Sequence, residues 1–156
     1  EADPGRQYFS KSHRLVTGRN RLIITQLPAE TDRYFYIGEG DTEVSEPVRL
    51  SLEKHDSTGF GVLRDPRIAC IDAGKLVFPL VIRTWKPGEY FQPLGMTGFK
   101  KISDFFVDEK LSLPEKEASW ILYSGDKVVW IIGQRLDNRF RITAHTREIL
   151  VIKMNE

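Results

Sequence analysis

Few side chains in this sequence have a type and spacing suited to bond-making chemistry. The three histidines, His13, His55 and His145, lie far apart, and none stands at a metal-ligand spacing from a cysteine or an aspartate. Taken alone they read as surface or loop histidines. The single cysteine, Cys70, sits in the apolar run Ile68-Ala69-Cys70-Ile71, where a buried structural thiol is expected rather than a nucleophile. There is no Gly-x-Ser-x-Gly elbow, no Walker-type loop and no Gly-x-Gly-x-x-Gly. The carboxylates are spread as on a solvated face, so no catalytic constellation is legible.

The cations are more informative. Lys100 and Lys101 follow Gly95-Met96-Thr97-Gly98-Phe99 and fall at the expected N-terminal end of a helix. That end carries partial positive charge, so each lysine costs from a few tenths to about 1 kcal/mol there. A bound anion would reverse the sign, because free amides, a glycine allowing close approach and two ammonium groups can hold a phosphate. Two solvated lysines remain the alternative. In Gly133-Gln134-Arg135-Leu136-Asp137-Asn138-Arg139-Phe140-Arg141, three arginines occur within seven residues on a turn. Arginine suits bidentate phosphate contact, but Asp137 could equally tie Arg135 or Arg139 into a structural ion pair. Arg83 and Lys86, beside Pro87-Gly88, could extend a basic face. Phe105, Phe106, Trp120 and Trp130 fall on the apolar phase of their elements and are expected in the core.

The elements that must position these residues follow from periodicity and turn chemistry. Arg14–Val16 and Arg21–Thr25 flank the turn Gly18-Arg19-Asn20, and Tyr34–Ile37 is closed by Gly38-Glu39-Gly40-Asp41. Val48, Leu50 and Leu52 alternate with polar residues as in a half-buried strand. Ile68–Ile71 precedes a turn at Asp72–Lys75, and Leu76–Ile82 is a strand at an edge or bulge because of Pro79. Pro87-Gly88 suits a type II turn. A helix is expected after Gly98, with Ile102, Phe105 and Phe106 as its apolar stripe. Ser112-Leu113-Pro114-Glu115 is a capping box for a second short helix. Trp120–Tyr123 and Lys127–Ile132 form a hairpin around Ser124-Gly125-Asp126, followed by Arg139–Thr143, a polar turn and the strand Glu148–Met154. The class is α+β: a mostly antiparallel, sandwich-like core with two short helices.

Composition bounds the function. The 156 residues are 40% hydrophobic and 29% charged, which excludes a disordered or low-complexity chain, and the longest apolar runs are too short to span a bilayer. No signal peptide is visible. One cysteine fits a reducing compartment. The net charge of +1 is uneven. Residues 1–26 carry five basic and two acidic residues, residues 27–75 six and ten, and residues 76–156 twelve and ten. A polyanion site would therefore be a local cluster.

The cationic segments also carry a resemblance. Arg83-Thr84-Trp85-Lys86-Pro87-Gly88-Glu89-Tyr90-Phe91, Pro93-Leu94-Gly95-Met96 and Lys100-Lys101-Ile102-Ser103-Asp104-Phe105-Phe106 occur in order. Val129-Trp130-Ile131-Ile132-Gly133 and Arg135-Leu136-Asp137-Asn138-Arg139-Phe140 follow. Together they resemble the C-terminal domain of bacterial tRNA(Ile)-lysidine synthase over residues 76–156. Residues 1–75 resemble, more weakly, the segment that precedes this domain in the Bacteroidetes-type enzyme.

The resemblance implies a three-layer domain built around a β-sandwich, similar to one in the phenylalanyl-tRNA synthetase β subunit. It implies a cytoplasmic parent enzyme that activates C2 of the wobble cytidine of isoleucine tRNA with ATP and Mg²⁺. Free lysine then attacks to give lysidine. That chemistry belongs to an N-terminal domain with a Ser-Gly-Gly-x-Asp-Ser loop, which this sequence lacks. With no initiator Met, the chain is expected to be a C-terminal part without cofactor of its own. Its expected partners are isoleucine tRNA, held toward the acceptor stem, and the catalytic domain. A homodimer is compatible with the family, and no membrane is involved. Carried over position by position, Lys100 and Lys101 are the first candidates for phosphate contact, then Arg135 and Arg139, then Arg83. Asp104 and Asp108 would orient them or face solvent. The rival reading is a protein-interaction module that docks the catalytic domain or a second subunit.

Overall fold

The computed structural model describes residues 4–10, 13–26 and 33–156; the chain start at Glu1 lies outside them. Along the chain run strands β1 (Gln7–Phe9), β2 (His13–Thr17), β3 (Leu22–Gln26), β4 (Phe35–Ile37), β5 (Glu43–Val44), β6 (Leu50–Asp56) and β7 (Ile68–Asp72). Then come β8 (Leu80–Thr84), β9 (Tyr90–Phe91), β10 (Lys100–Lys101) and helices α1 (Ile102–Asp108) and α2 (Leu113–Glu117). Strands β11 (Trp120–Ser124), β12 (Lys127–Ile131), β13 (Arg135–Leu136) and β14 (Glu148–Met154) complete the chain. The architecture is the expected α+β one, mostly antiparallel strands with two short helices.

Two sheets face each other. One has the order β13-β12-β11-β8-β4 and the other β5-β6-β14-β7, with every ladder antiparallel. Each draws strands from both sides of residue 75. Because strand side chains alternate between faces, each sheet supplies every second residue to the interior, except at the bulge opposite Leu122 and Tyr123, where Val129 and Trp130 both point inward. Leu50, Leu52, Ala69, Ile71, Leu150 and Ile152 from one sheet meet Ile37, Leu80, Ile82, Leu122, Trp130 and Ile132 from the other. The intervening residues of the five-stranded sheet point outward and build a second apolar layer. There Ile121, Tyr123, Val128 and Ile131 are covered by Ile102, Phe105 and Phe106 of α1. The i, i+3, i+4 stripe thus makes the helix the third layer. Helix α2 starts at the capping box: Ser112 accepts the Glu115 N–H, and Glu115 accepts the Ser112 N–H.

The β1-β2-β3 sheet attaches to α2 by ion pairs, Arg14 with Glu117 and Arg21 with Glu115. The bidentate bond to Glu117 holds the Arg14 pKa above its ordinary value.

Three expectations are corrected. The strand expected over Leu76–Ile82 begins only at Leu80, and Ala73–Lys75 is a 3₁₀ turn. Asp72 caps that turn through the Gly74 N–H, and Pro79 has no N–H to give a ladder. The run from Arg139 contains a 3₁₀ turn at Asn138–Phe140, capped by Asp137. Lys101 does stand at the N-terminal end of α1, as its N-cap, but Lys100 and Lys101 also form a strand and give the helix no side-chain cap. They pair with Phe91 and Tyr90, and the Ile102 N–H continues the ladder to the Glu89 carbonyl at 3.0 Å. Strands β1, β5, β9 and β13 are too short to show a period, and none of them is expected from the sequence.

Phe106 is fully buried against the five-stranded sheet, with its ring edge-to-face on Trp85 at 5.4 Å. Phe106→Ala is expected to destabilise the domain by roughly 3–5 kcal/mol in denaturant unfolding. An unchanged midpoint would show that α1 is not a packed layer.

Candidate nucleic-acid interface

The β9–β10 hairpin and the turn after β13 meet at one edge of the five-stranded sheet, and two carboxylates hold them there. Glu89 closes the turn that leads into β9. Its N–H donates to the Lys86 carbonyl across Pro87-Gly88, with Gly88 at φ +88° as a type II turn requires. Its side chain accepts from Arg83 Nη2 (2.5 Å), the Lys86 N–H (2.9 Å) and the Tyr123 hydroxyl (2.7 Å). Burial alone would raise the Glu89 pKa, but these donors outweigh it and hold it below the ordinary value. Burial pushes the Tyr123 phenol well up, reinforced by its bond to Glu89. Arg83 is partly desolvated, which opposes its charge, yet Glu89 keeps its pKa above the ordinary value. The Arg83 guanidinium also lies over the Tyr123 ring at 3.9 Å.

Asp137 is the second carboxylate, and its side chain is fully buried. It accepts the Gln92 N–H, the Arg139 N–H and both Nε and Nη2 of Arg139, each at 2.9 Å. Backbone bonds extend the junction: Leu94 N–H to the Leu136 carbonyl and Asn138 N–H to the Gln92 carbonyl. Gly95, at φ +88°, closes the Pro93–Met96 turn and donates to Asn138 Oδ1.

The sequence candidates fall into different roles. Lys100 and Lys101 are neighbours on a strand, so they point to opposite faces and do not form a two-lysine cradle. Lys100 pairs with Asp108. Lys101 is exposed and makes no ion pair among the described residues; its Nζ lies 5.9 Å from the Tyr90 ring centroid. Arg135 pairs with Glu109 at 3.6 Å and sits over the Phe105 ring. Arg139 is tied to Asp137, which settles the open alternative for that arginine in favour of the ion pair. Its guanidinium still covers the exposed Phe99 ring at 5.1 Å. Arg83 is committed to Glu89. The structure therefore leaves Lys101 outside any ion pair among the described residues and turns Lys100, Arg83, Arg135 and Arg139 into partners of carboxylates. Arg141 is exposed, with one bond to the Asn138 carbonyl. The aromatics Tyr90 and Phe99 were not picked out from the sequence. Tyr90 is placed by its ladder pairing with Lys101, a partner that neither segment shows on its own. The four aromatics expected in the core are buried or half-buried.

Fold and site define an α+β sandwich domain with a helical third layer and a displayed hairpin bearing cations and aromatics. Residues 80–153 match the family described as TilS substrate C-terminal domain, and the chain belongs to that family. A tRNA(Ile)-lysidine synthase of Parabacteroides distasonis is 44% identical over 151 residues, covering 96% of this chain and 34% of that protein. The one from Bacteroides thetaiotaomicron is 38% identical over 152 residues, 97% of this chain and 33% of that protein. This chain spans about a third of the length of these curated relatives. A crystal structure of a TilS C-terminal domain shares the fold, with a TM-score of 0.66 at 15% identity over 79% of this chain and 97% of that one.

Because the folded Glu89 pKa lies below its unfolded value, its stabilisation is present above the ordinary carboxylate range and lost as pH falls through the folded value. Glu89→Gln is expected to lower stability at neutral pH by roughly 1–3 kcal/mol and to flatten the acid limb of stability against pH. An unaltered acid limb would remove Glu89 as the group responsible.

Proposed function

We propose that this chain is the non-catalytic, tRNA-gripping part of a tRNA(Ile)-lysidine synthase, and that it holds isoleucine tRNA on the acceptor-stem side through the β9–β10 face. The observation that carries this reading is Lys101. It is exposed, makes no ion pair among the described residues and lies 5.9 Å from the exposed Tyr90 ring, while two residues earlier the exposed Phe99 ring carries Arg139. A-form stems are held through phosphates, 2′-hydroxyls and shape, for which a rigid basic edge is adequate. Lys101 and Arg141 are the phosphate contacts in this reading. Arg139 shapes the face, and Lys100, Arg135 and Arg83 contribute through the packing that supports it. In the parent enzyme, ATP with Mg²⁺ and free lysine act in a separate catalytic domain that partners this one in the cytoplasm.

A second reading has its own observation. Tyr8, Leu22 and Ile24 of the β1-β2-β3 sheet are exposed apolar residues, as a docking module would require.

The test is binding of this chain to an isoleucine tRNA transcript across a salt titration. Affinity is expected to fall steeply with salt. Lys101→Ala is expected to weaken binding and to reduce the slope of log affinity against log salt by about one, with Lys100→Ala milder. A folded chain that shows no salt-dependent binding at low salt would overturn the RNA reading in favour of docking.

A further inference from the structure

The hairpin face holds more than phosphate chemistry requires. Ladder partners Tyr90 and Lys101 share a face, and Phe99 stands just before the strand, two residues from Lys101. The opposite side is taken by Phe91, fully buried under α1, and by Lys100 with Asp108. Tyr90 is 50% exposed and Phe99 59%, whereas core aromatics of the neighbouring helix are at most 3% exposed. Two cation–ring pairs with exposed rings result, Lys101 with Tyr90 and Arg139 with Phe99. Each aromatic is matched with one cation, at 5.9 Å and 5.1 Å. Arg139 is itself fixed by Asp137, so Phe99 has a rigid cationic neighbour on one side while much of its surface stays in water.

A duplex offers this face only phosphates and sugars, to which a phenyl ring adds little. Unpaired nucleotides offer bases, and stacking on aromatic side chains beside cations is how single strands are held. We infer that Tyr90 and Phe99 form a stacking platform for unpaired nucleotides that run on from an RNA stem, with Lys101 neutralising an adjoining phosphate and Arg139, itself held by Asp137, fixing Phe99. This rests on the RNA-binding reading above and specifies its ligand as a stem with a single-stranded end.

The test compares, by fluorescence anisotropy, two acceptor-stem hairpins: one blunt and one with a short unpaired 3′ extension. The 156-residue chain is expected to bind the extended RNA more tightly. Phe99→Ala is expected to cost about fivefold to hundredfold on the extended RNA and nothing on the blunt one. Phe99→Tyr should keep the preference, and Phe99→Leu, which retains bulk without a π-face, should lose it. Lys101→Ala should weaken both RNAs. Equal binding of the two RNAs by the wild type would overturn the platform and leave the RNA-binding reading standing. So would a Phe99→Ala loss that is the same on both, or absent from both as for an apolar peptide site. Binding of neither RNA by the folded wild type would overturn both readings.

Discussion

Everything displayed at the candidate interface depends on one carboxylate with no access to water. Asp137 sits between the turn after β13 and the loop that leaves β9, and it takes four N–H donors from the two segments. An ionised carboxylate in such a place is tolerated only when paired and hydrogen-bonded, and removing its partner leaves an uncompensated buried charge. Arg139 supplies the opposite charge, and Gln92 supplies a donor from the hairpin side. The constraint is mutual. The hairpin is seated because Asp137 needs the Gln92 N–H, and Arg139 is rigid because Asp137 needs its guanidinium. Phe99 lies under that guanidinium, so the aromatic face inherits the same rigidity.

Glu89 performs the corresponding task at the other end of the hairpin, where it joins β8 and β11 to the start of α1. Between these anchors most of the local cations are used internally: Arg83 by Glu89, Arg139 by Asp137, Lys100 by Asp108 and Arg135 by Glu109. A count of lysines and arginines therefore overstates the field available to a polyanion. Lys101 and Arg141 remain outside such pairs among the described residues, consistent with a chain whose net charge is only +1. Short-range contact and shape, more than long-range steering, would then set affinity for RNA.

The fold was largely legible because its main signals are local and strong. The alternation of Leu50 and Leu52, the Ile102–Phe106 stripe, the Ser112 box and the Trp120–Ile131 hairpin each report one element without reference to the rest of the chain. The errors have a common physical source. Lys100 and Lys101 are strand residues only because Tyr90 and Phe91, ten residues upstream, offer a ladder. Residues 138–140 turn because a buried Asp137 caps them. The ladder partner is not visible to a reading of the segment alone, and Asp137, though adjacent, shows its capping role only once its burial is known. The same holds for the site. Residue types marked the right region, but which cations are spent in ion pairs and which aromatics are left exposed are tertiary facts. Phe99 and Phe105 look alike in the sequence; one is 59% exposed and the other 3%.

Backbone amide hydrogen exchange of this chain with and without bound isoleucine tRNA probes the assignment most directly. Slowed exchange is expected in residues 90–101 and 138–141, the hairpin and the turn locked to it, with the outer face of the four-stranded sheet unchanged. Protection confined to β1-β2-β3, or spread evenly over the chain, would contradict a tRNA-gripping role for the hairpin face.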